Sequence, residues 1–260
     1  MKKEKLAALG LLLFAAGAQP ASAADDGILR IGTGLDYSSG KYGGSEKTTI
    51  LSIPVSARYD RDRWTLKASI PWLEIKGSGR VIPDIGAVDP NATTTAPGTR
   101  STGWGDLVTS VTYTAYYDSA SKLGLDVTAK VKWAIADVNK GLSTGENDYT
   151  ALVDMYKQFD RMTWFGGVGY ANLGSSDTLP LRNVWSLNLG GSYKLDERDS
   201  AGLSFDARQR VAATAFPQRE LTAFWLRKFD QHWRAQLYLL KGLSDGSPDW
   251  GGGLSVGYSF

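Results

Sequence analysis

Few residues of this sequence could support catalysis. The chain has one histidine, His232, and no cysteine, which excludes thiolate chemistry and a disulfide framework. Because zinc sites usually take their three or four ligands from these two residue types, we predict no metal site. His232 lies in a predicted short turn, where a solvated side chain explains it better than a general base does. No serine is placed beside a base, so the sequence predicts no catalytic residue and no cofactor.

Charged side chains instead recur at every second position of several segments, which would place them on one face of a β-strand. Basic residues exceed acidic residues in this set. Two interpretations stay open: a polar passage that favours anionic or electron-rich solutes, or a salt-bridge network that fills the interior and only stabilises the wall. The residues predicted to face the interior, along a possible solute path, are Arg30, Asp36, Arg58, Lys67, Asp106, Lys130, Lys132, Asp154, Asp206, Arg208, Arg210 and Arg234.

About twelve segments in which apolar and polar residues alternate would position these side chains. In Leu123–Trp133, for example, Lys130 and Lys132 share a polar face, and the opposite face is apolar. The apolar faces hold no charged residue, and a Lys or Arg at the bilayer midplane costs roughly 2 to 4 kcal/mol. This pattern favours lipid outside and water inside over a soluble sandwich or a lipocalin-like barrel. The sequence therefore predicts an all-β protein, a single antiparallel transmembrane β-barrel of about 12 strands.

Aromatic residues are numerous and fall at the predicted strand ends, as in the interfacial girdles of membrane barrels. The predicted girdle beside the short turns contains Tyr59, Trp64, Tyr117, Trp164, Tyr193, Trp233 and Phe260. The predicted girdle beside the longer loops contains Tyr37, Trp72, Trp133, Tyr149, Tyr170, Trp185 and Trp250.

Two local features of the predicted strands are less regular. In segment 218–229, either the even-numbered set with Phe224 or the odd-numbered set with Trp225 could face lipid. We favour the even-numbered set, because the other set turns Arg227 toward lipid near the membrane edge. Pro54 and Pro71 lie inside predicted strands and each removes a hydrogen-bond donor, so a local bulge is expected there.

The connections alternate in length. The shorter ones are rich in Asp and Arg and are predicted to be periplasmic turns, whereas the longer ones are predicted to be extracellular loops. An even strand count then puts both termini on the periplasmic side of a Gram-negative outer membrane. The connection 77–103 is too long for a simple turn, and loops of this length are often functional. We expect it to fold over or into the barrel opening, so that deleting residues 89–100 raises conductance.

The first residues have the pattern of a secretory signal peptide. Lys2, Lys3 and Lys5 precede an apolar run that ends at Ala21-Ser22-Ala23, which predicts a signal peptide over 1–23 and a barrel over 24–260. That run is shorter than the roughly 18 apolar residues a membrane-spanning helix requires. Its removal leaves 26 basic and 26 acidic side chains of the original 29 and 27. A neutral chain without basic runs argues against nucleic-acid binding.

Five short motifs carry a resemblance to a known family. They are Lys41-Tyr42-Gly43, Ile53-Pro54-Val55, Asp62-Arg63-Trp64-Thr65-Leu66-Lys67, Ile70-Pro71-Trp72 and Gly103-Trp104-Gly105-Asp106-Leu107. Over residues 31–115 the chain resembles the meta-pathway of phenol degradation family of outer-membrane transporters. The terminal Tyr258-Ser259-Phe260 resembles the aromatic signature that the outer-membrane assembly machinery recognises. The resemblance implies passage of small hydrophobic or aromatic compounds, and it assigns no functional residue.

Taken together, these patterns predict a channel or transporter for passive passage of small molecules rather than an enzyme. Its partners would be the lipid bilayer, lipopolysaccharide, the assembly machinery through Phe260 and a small-molecule solute; the oligomeric state stays open. The main alternative is a structural or ligand-binding barrel whose lumen is filled by side chains and whose extracellular loops carry the function. An enzyme that uses His232 is a more remote alternative.

Overall fold

The computed structural model describes residues 27–44, 46–77, 81–83, 86–87 and 99–260. The predicted signal peptide, residues 1–23, lies outside these ranges. The described chain is all-β apart from one short 3₁₀ helix, Val138–Lys140. None of its helices has the length and apolarity needed to cross a membrane.

The strands follow one another as an antiparallel meander that closes on itself. They are β1 (Ile28–Gly40), β2 (Thr48–Arg61), β3 (Trp64–Gly77), β4 (Val81–Ile82), β5 (Gly86–Ala87), β6 (Thr99–Trp104), β7 (Leu107–Asp118), β8 (Leu123–Trp133), β9 (Asp148–Phe159), β10 (Met162–Asn172), β11 (Val184–Lys194), β12 (Asp199–Arg208), β13 (Gln218–Lys228), β14 (Trp233–Gly242) and β15 (Trp250–Ser259). The first strand, β1, pairs with the last, β15, so the sheet has no free edge there. Strands β4 and β5 form a separate hairpin, and β6 and β7 are two parts of one wall strand, which gives a twelve-stranded barrel. The predicted fold is confirmed.

Alternate residues of each strand lie on opposite sides of the wall, as pleating requires. On β14, Leu237 is 46% exposed on the outside, whereas its neighbours Gln236 and Tyr238 are 1% and 8% exposed inside. The exposed outer surface is therefore apolar and the covered inner surface is mixed. This is the reverse of a soluble protein and fits lipid as the outer solvent.

The predicted orientation of segment 218–229 is wrong. Phe224 and Leu226 are only 7% and 5% exposed and face the interior, while Leu221 is 40% exposed on the outside. Arg227 does face outward, close to the last residue of β13. Its guanidinium lies 5.9 Å from the ring centres of Trp225 and Phe229 and 3.9 Å from Asp199. A cation at the membrane edge is tolerated because it can reach aromatic and acidic partners there.

Two irregularities of the wall differ from the expected pattern. A register shift between Thr114 and Tyr116 turns Tyr116 outward and Tyr117 inward, so Tyr117 does not belong to the outer girdle. The register of β2 and β3 runs unbroken through the facing residues Pro54 and Pro71, where a bulge was expected. The wall is instead interrupted between β6 and β7, where the Gly105 amide donates to the Pro71 carbonyl at 2.8 Å.

The short turns lie at one end of the barrel together with the described chain ends. The Phe260 amide donates to the Leu29 carbonyl at 2.9 Å. In the β13–β14 turn, Asp230 Oδ1 accepts hydrogen bonds from the Trp233 and His232 amides at 2.6 and 2.8 Å. These two bonds lower the pKa of Asp230. Because the pKa of Asp230 is lowered in the folded state, these bonds stabilise the turn at any pH above the ordinary carboxyl pKa. The stabilisation is lost as the pH falls through the lowered pKa.

The outward apolar surface leads to a first prediction about stability. Leu237 lies midway along β14, opposite Trp225 and Leu254 on its two neighbours. We expect Leu237→Arg to lower the free energy of unfolding in phospholipid vesicles by about 2 to 4 kcal/mol, because a guanidinium must enter hydrocarbon. The free energy of unfolding is measured by urea titration, with tryptophan fluorescence as the signal. The matched control is Ala213→Arg in an exposed loop; an equal loss in both variants would contradict lipid contact at Leu237.

Candidate functional site

The interior of the barrel differs from one end to the other. We describe it from the loop end, which we call the mouth, to the short-turn end. At the mouth, a first apolar cluster of buried side chains joins two loops to the inner faces of β2 and β3. Its members are Tyr42, Ile50, Leu73, Ile75, Val81 and Leu142.

A second apolar cluster lines the other side of the mouth. Its buried members are Leu173, Val184, Val211, Ala212 and Ala215. Ile82 packs against this second cluster, whereas its neighbour Val81 belongs to the first. The β4–β5 hairpin therefore lies between the two clusters and crosses the mouth. The described part of connection 77–103 folds into the opening, as the sequence analysis expected.

The loop that carries Leu142 is held in place by a buried charge triad. Lys132 lies 2.8 Å from Asp148 and 3.6 Å from Asp106, and all three residues are 6% exposed. Lys132 also donates to Thr144 Oγ1 at 3.1 Å. Asp106 accepts hydrogen bonds from the amides of residues 135 and 136 and from the Ser143 hydroxyl. These three charged residues thus fasten the loop between β8 and β9 inside the mouth.

Below the mouth, four inward aromatic side chains lie against glycines of the adjacent strand. The directly paired residues are Tyr156 with Gly124, Phe165 with Gly190, Phe224 with Gly202, and Tyr238 with Gly253. At each glycine an added Cβ would overlap the facing side chain, so the rings rest on the bare backbone. This arrangement lays the rings flat along the wall and stabilises the strand pairing.

These four side chains form one continuous surface, which we call the aromatic belt. Phe165 is paired with Tyr156, and Phe224 is paired with Tyr238. All four rings belong to a single buried cluster, with Tyr117 packed against it. With their glycines they cover the inner wall from β8 to β15. Other inward positions carry hydroxyl groups, for example Thr112 on β7 and Thr128 on β8, whose hydroxyls lie 2.8 Å apart.

Polar groups without protein partners border the belt. Tyr238 donates its hydroxyl hydrogen to Asp36 Oδ1 at 2.7 Å, but Asp36 Oδ2 is buried without a hydrogen-bond partner in the described chain. Other buried interior atoms of this kind include Ser69 Oγ, Asp126 Oδ1, Asn188 Oδ1, Gln218 Nε2, Glu220 Oε1 and Gln236 Oε1. Because buried polar groups are almost always hydrogen-bonded, these atoms are suited to bind water or a polar solute.

The short-turn end of the interior is basic. Arg58 holds both carboxylate oxygens of Asp60, at 2.8 and 2.9 Å, and Arg30 binds the same carboxylate. Arg234 donates to the Ser259 hydroxyl at 3.0 Å. Lys228 is paired with Arg234 across the strands, as Arg30 is with Arg58. Basic side chains therefore gather here, and they include Arg30, Arg58, Lys194, Lys228 and Arg234.

The predicted interior residues divide among these regions. Arg30, Arg58 and Arg234 meet at the basic end, and Asp106 and Lys132 meet at the mouth. Other inward strand positions hold Asp36, Lys67, Lys130, Asp154, Asp206 and Arg208. Of these, Lys67 is paired with Arg58 at the basic end. Arg210 was wrongly placed on the inner wall, because β12 ends at Arg208 and Arg210 is an exposed loop residue. A solute path along these residues stays a prediction.

His232 packs against the end of the barrel. Its Nδ1 donates to the Ser259 carbonyl at 2.7 Å, and its ring stacks on Tyr258 at 5.4 Å between centres. This supports the interpretation of His232 as a turn residue. Within the described ranges, no group of three or more His, Asp or Glu side chains could hold a metal ion.

The aromatic belt is the main interior feature that sequence reasoning missed. Alternation alone assigned Tyr156 and Phe165 to the polar face of their segments. A single aromatic residue on a polar face does not by itself predict an aromatic cluster. The signal would have been a glycine at the matching inward position of the next strand, as with Phe165 and Gly190. Finding it requires the strand register, which the sequence does not specify directly.

No family model and no curated protein matches the chain. Among solved structures, an outer-membrane channel from Pseudomonas putida F1 has a TM-score of 0.68 and 13% identity, covering 95% of this chain and 100% of the channel. The KdgM porin has a TM-score of 0.53 and 10% identity, over 89% and 99% of the two chains. The translocator domain of the autotransporter NalP from Neisseria meningitidis has a TM-score of 0.51 and 13% identity, over 93% and 91%. These likenesses show the fold of an outer-membrane β-barrel.

Proposed function

We propose that this chain is an outer-membrane channel for passive passage of small hydrophobic or aromatic compounds. The observation that carries the proposal is the aromatic belt beneath an apolar mouth. Phe165 and Phe224 place apolar ring surface on the inner wall, where small apolar solutes can contact it. Flat-lying rings give aromatic solutes stacking partners without projecting across the lumen.

The partnerless polar atoms along the interior support a hydrated path. In a lumen sealed by its own salt bridges, groups such as Asp36 Oδ2 and Glu220 Oε1 would be paired within the protein. Water at these positions would satisfy them and keep a polar strip beside the aromatic wall. A solute with one apolar face would then have contacts on both sides.

A second candidate function is favoured by the burial of the interior. Phe165 and Phe224 are each 7% exposed, and the mouth is crossed by a hairpin. These facts are also expected of a structural or ligand-binding barrel with a filled lumen and functional loops. Single-channel conductance in planar bilayers separates the two functions, because only a channel passes current.

Uptake into liposomes tests the proposed function directly. Vesicles that carry the purified protein should take up phenol and benzamide faster than sugars of similar size, after subtraction of uptake by protein-free vesicles. Equal rates for all solutes would indicate a general pore, and no uptake above the lipid background would remove the proposal.

The belt itself leads to a second prediction. We expect the double variant Phe165→Ala and Phe224→Ala to conduct ions several-fold better while losing the preference for aromatic solutes, since two rings no longer narrow and line the lumen. The matched control is Phe159→Ala, a phenylalanine that is 53% exposed on the outer surface. If the belt variant keeps both its conductance and its preference, the belt does not line the path.

Other parts of the proposal follow from this function. Channels, a porin and a translocator have this fold, so we propose no catalytic role for the chain. We also propose residence in a Gram-negative outer membrane with both termini periplasmic, contact with lipopolysaccharide, and recognition of Phe260 by the assembly machinery. We also propose membership of the phenol-degradation family, which is supported by the five motifs within residues 31–115.

A further inference from the structure

Basic side chains lie close together at the short-turn end of the interior. Arg30 is paired with Arg58 on β1 and β2, and Lys228 is paired with Arg234 on β13 and β14. Arg30 and Arg58 share the carboxylate of Asp60. The charges that act on Lys228 are Arg234, Lys194 and Arg30, all positive. Among the described ion pairs, none involves Lys194 or Lys228.

The arginine part of this cluster faces the interior, whereas Lys194 is exposed at its edge. The side chains of Arg30 and Arg58 are only 18% and 10% exposed. Arg30 Nε is buried and has no hydrogen-bond partner in the described chain, even though its Nη1 binds Asp60. Keeping like charges together in a confined space is unfavourable unless anions enter it. A narrow passage with low-dielectric walls also concentrates the field of such a cluster.

We infer that the basic cluster is a binding site for the carboxylate of an aromatic acid passing through the barrel. The inference rests on the proposed function and names its substrate class. A solute that leaves the apolar mouth meets the aromatic belt first and the basic cluster last. An aromatic ring with one anionic group has a partner at each of these levels. Guanidinium groups suit this role because their paired N–H donors match a carboxylate.

Lys194 and Lys228 are the residues to change, since Arg30 and Arg58 also hold the turn residue Asp60. The double variant Lys194→Gln and Lys228→Gln removes two positive charges and leaves both arginine contacts to Asp60 in place. Its matched control is Lys41→Gln with Lys140→Gln, two exposed loop lysines at the mouth end. Urea titration of all variants confirms that each barrel is folded.

Equilibrium binding by NMR titration compares benzoate with benzamide, its neutral analogue of the same shape, on purified protein in neutral-detergent micelles. We expect benzoate to bind more tightly than benzamide, and this advantage to weaken with added salt because the attraction is electrostatic. In the double variant, benzoate binding should fall several-fold and benzamide binding should stay constant. The control variant should match the unmodified protein.

The possible outcomes separate this inference from the proposed function. Equal binding of benzoate and benzamide, or unchanged benzoate binding in the double variant, would overturn the inference. Liposome uptake of benzamide tests the channel independently, since benzamide carries no charge. If benzamide enters and benzoate has no advantage, the channel stands and the basic site does not. If benzoate binds selectively but neither compound enters, the site stands and the proposed passage does not.

Discussion

Lys132→Met is expected to destabilise the protein by about 3 to 5 kcal/mol, the usual cost of removing one partner from a buried ion pair. Lys132 is the cation between Asp148 at 2.8 Å and Asp106 at 3.6 Å. Methionine has a similar length but no charge. The carboxylates of Asp106 and Asp148, two residues that are each 6% exposed, would then stay buried without a cation. Releasing the loop between β8 and β9 into water relieves that state.

Release of the loop has its own measurable consequence. Asp106 holds the amides of Ile135 and Ala136 at 3.1 and 3.0 Å, and Leu142 is packed in the first apolar cluster. We therefore expect faster hydrogen exchange and faster proteolysis across residues 134–147 in the variant. The free energy of unfolding is measured by urea titration in vesicles, and exchange by mass spectrometry.

The control for Lys132→Met is Lys140→Met in the same loop. Lys140 is 54% exposed at its side chain, and its contact with Asp137 is 4.0 Å long. Exposed pairs of this kind contribute little, so its stability should change by less than about 1 kcal/mol. If the two variants were equally stable and equally protected from exchange, the triad would not be what holds the loop.

The barrel itself could be predicted from the sequence because lipid imposes a simple rule on the outer wall. Alternate residues such as Leu125 and Val127 had to be apolar, and their neighbours did not, so the period of two was visible. The rule that outward residues are apolar does not hold at the membrane edge. Arg227 lies at the membrane edge beside Trp225, Phe229 and Asp199, so its outward position carries no large penalty.

The interior was predictable only in its charges. Arg30, Arg58 and Arg234 could be assigned to the inner wall by parity, but their convergence on one level depends on strand register. The register also decides that Phe165 meets Gly190 and that Tyr156 meets Gly124. The bulge at residues 114–116 shifts Tyr117 to the inside without any glycine or proline to mark it.

The β4–β5 hairpin is attached to both sides of the mouth through two adjacent side chains. Val81 is 4% exposed within the first apolar cluster, and Ile82 packs against the second. Pleating sends neighbouring residues in opposite directions, so one short strand bridges both sides of the opening. The strength of this bridge depends on apolar contacts, since burying such a side chain contributes about 1.5 to 3 kcal/mol.

We expect the double variant Val81→Ser and Ile82→Ser to have several-fold higher single-channel conductance, because serine gives the hairpin no apolar contacts on either side. Substitution is a cleaner test than deleting residues 89–100, since Arg100 pairs with Lys76 in the wall. The matched control is Ile135→Ser with Val138→Ser, an Ile and a Val that are 60% and 51% exposed in a neighbouring loop. Conductance should stay unchanged in that control. A folded hairpin variant with the original conductance would show that the mouth does not limit passage, and the constriction would then have to lie at the aromatic belt or at the basic cluster.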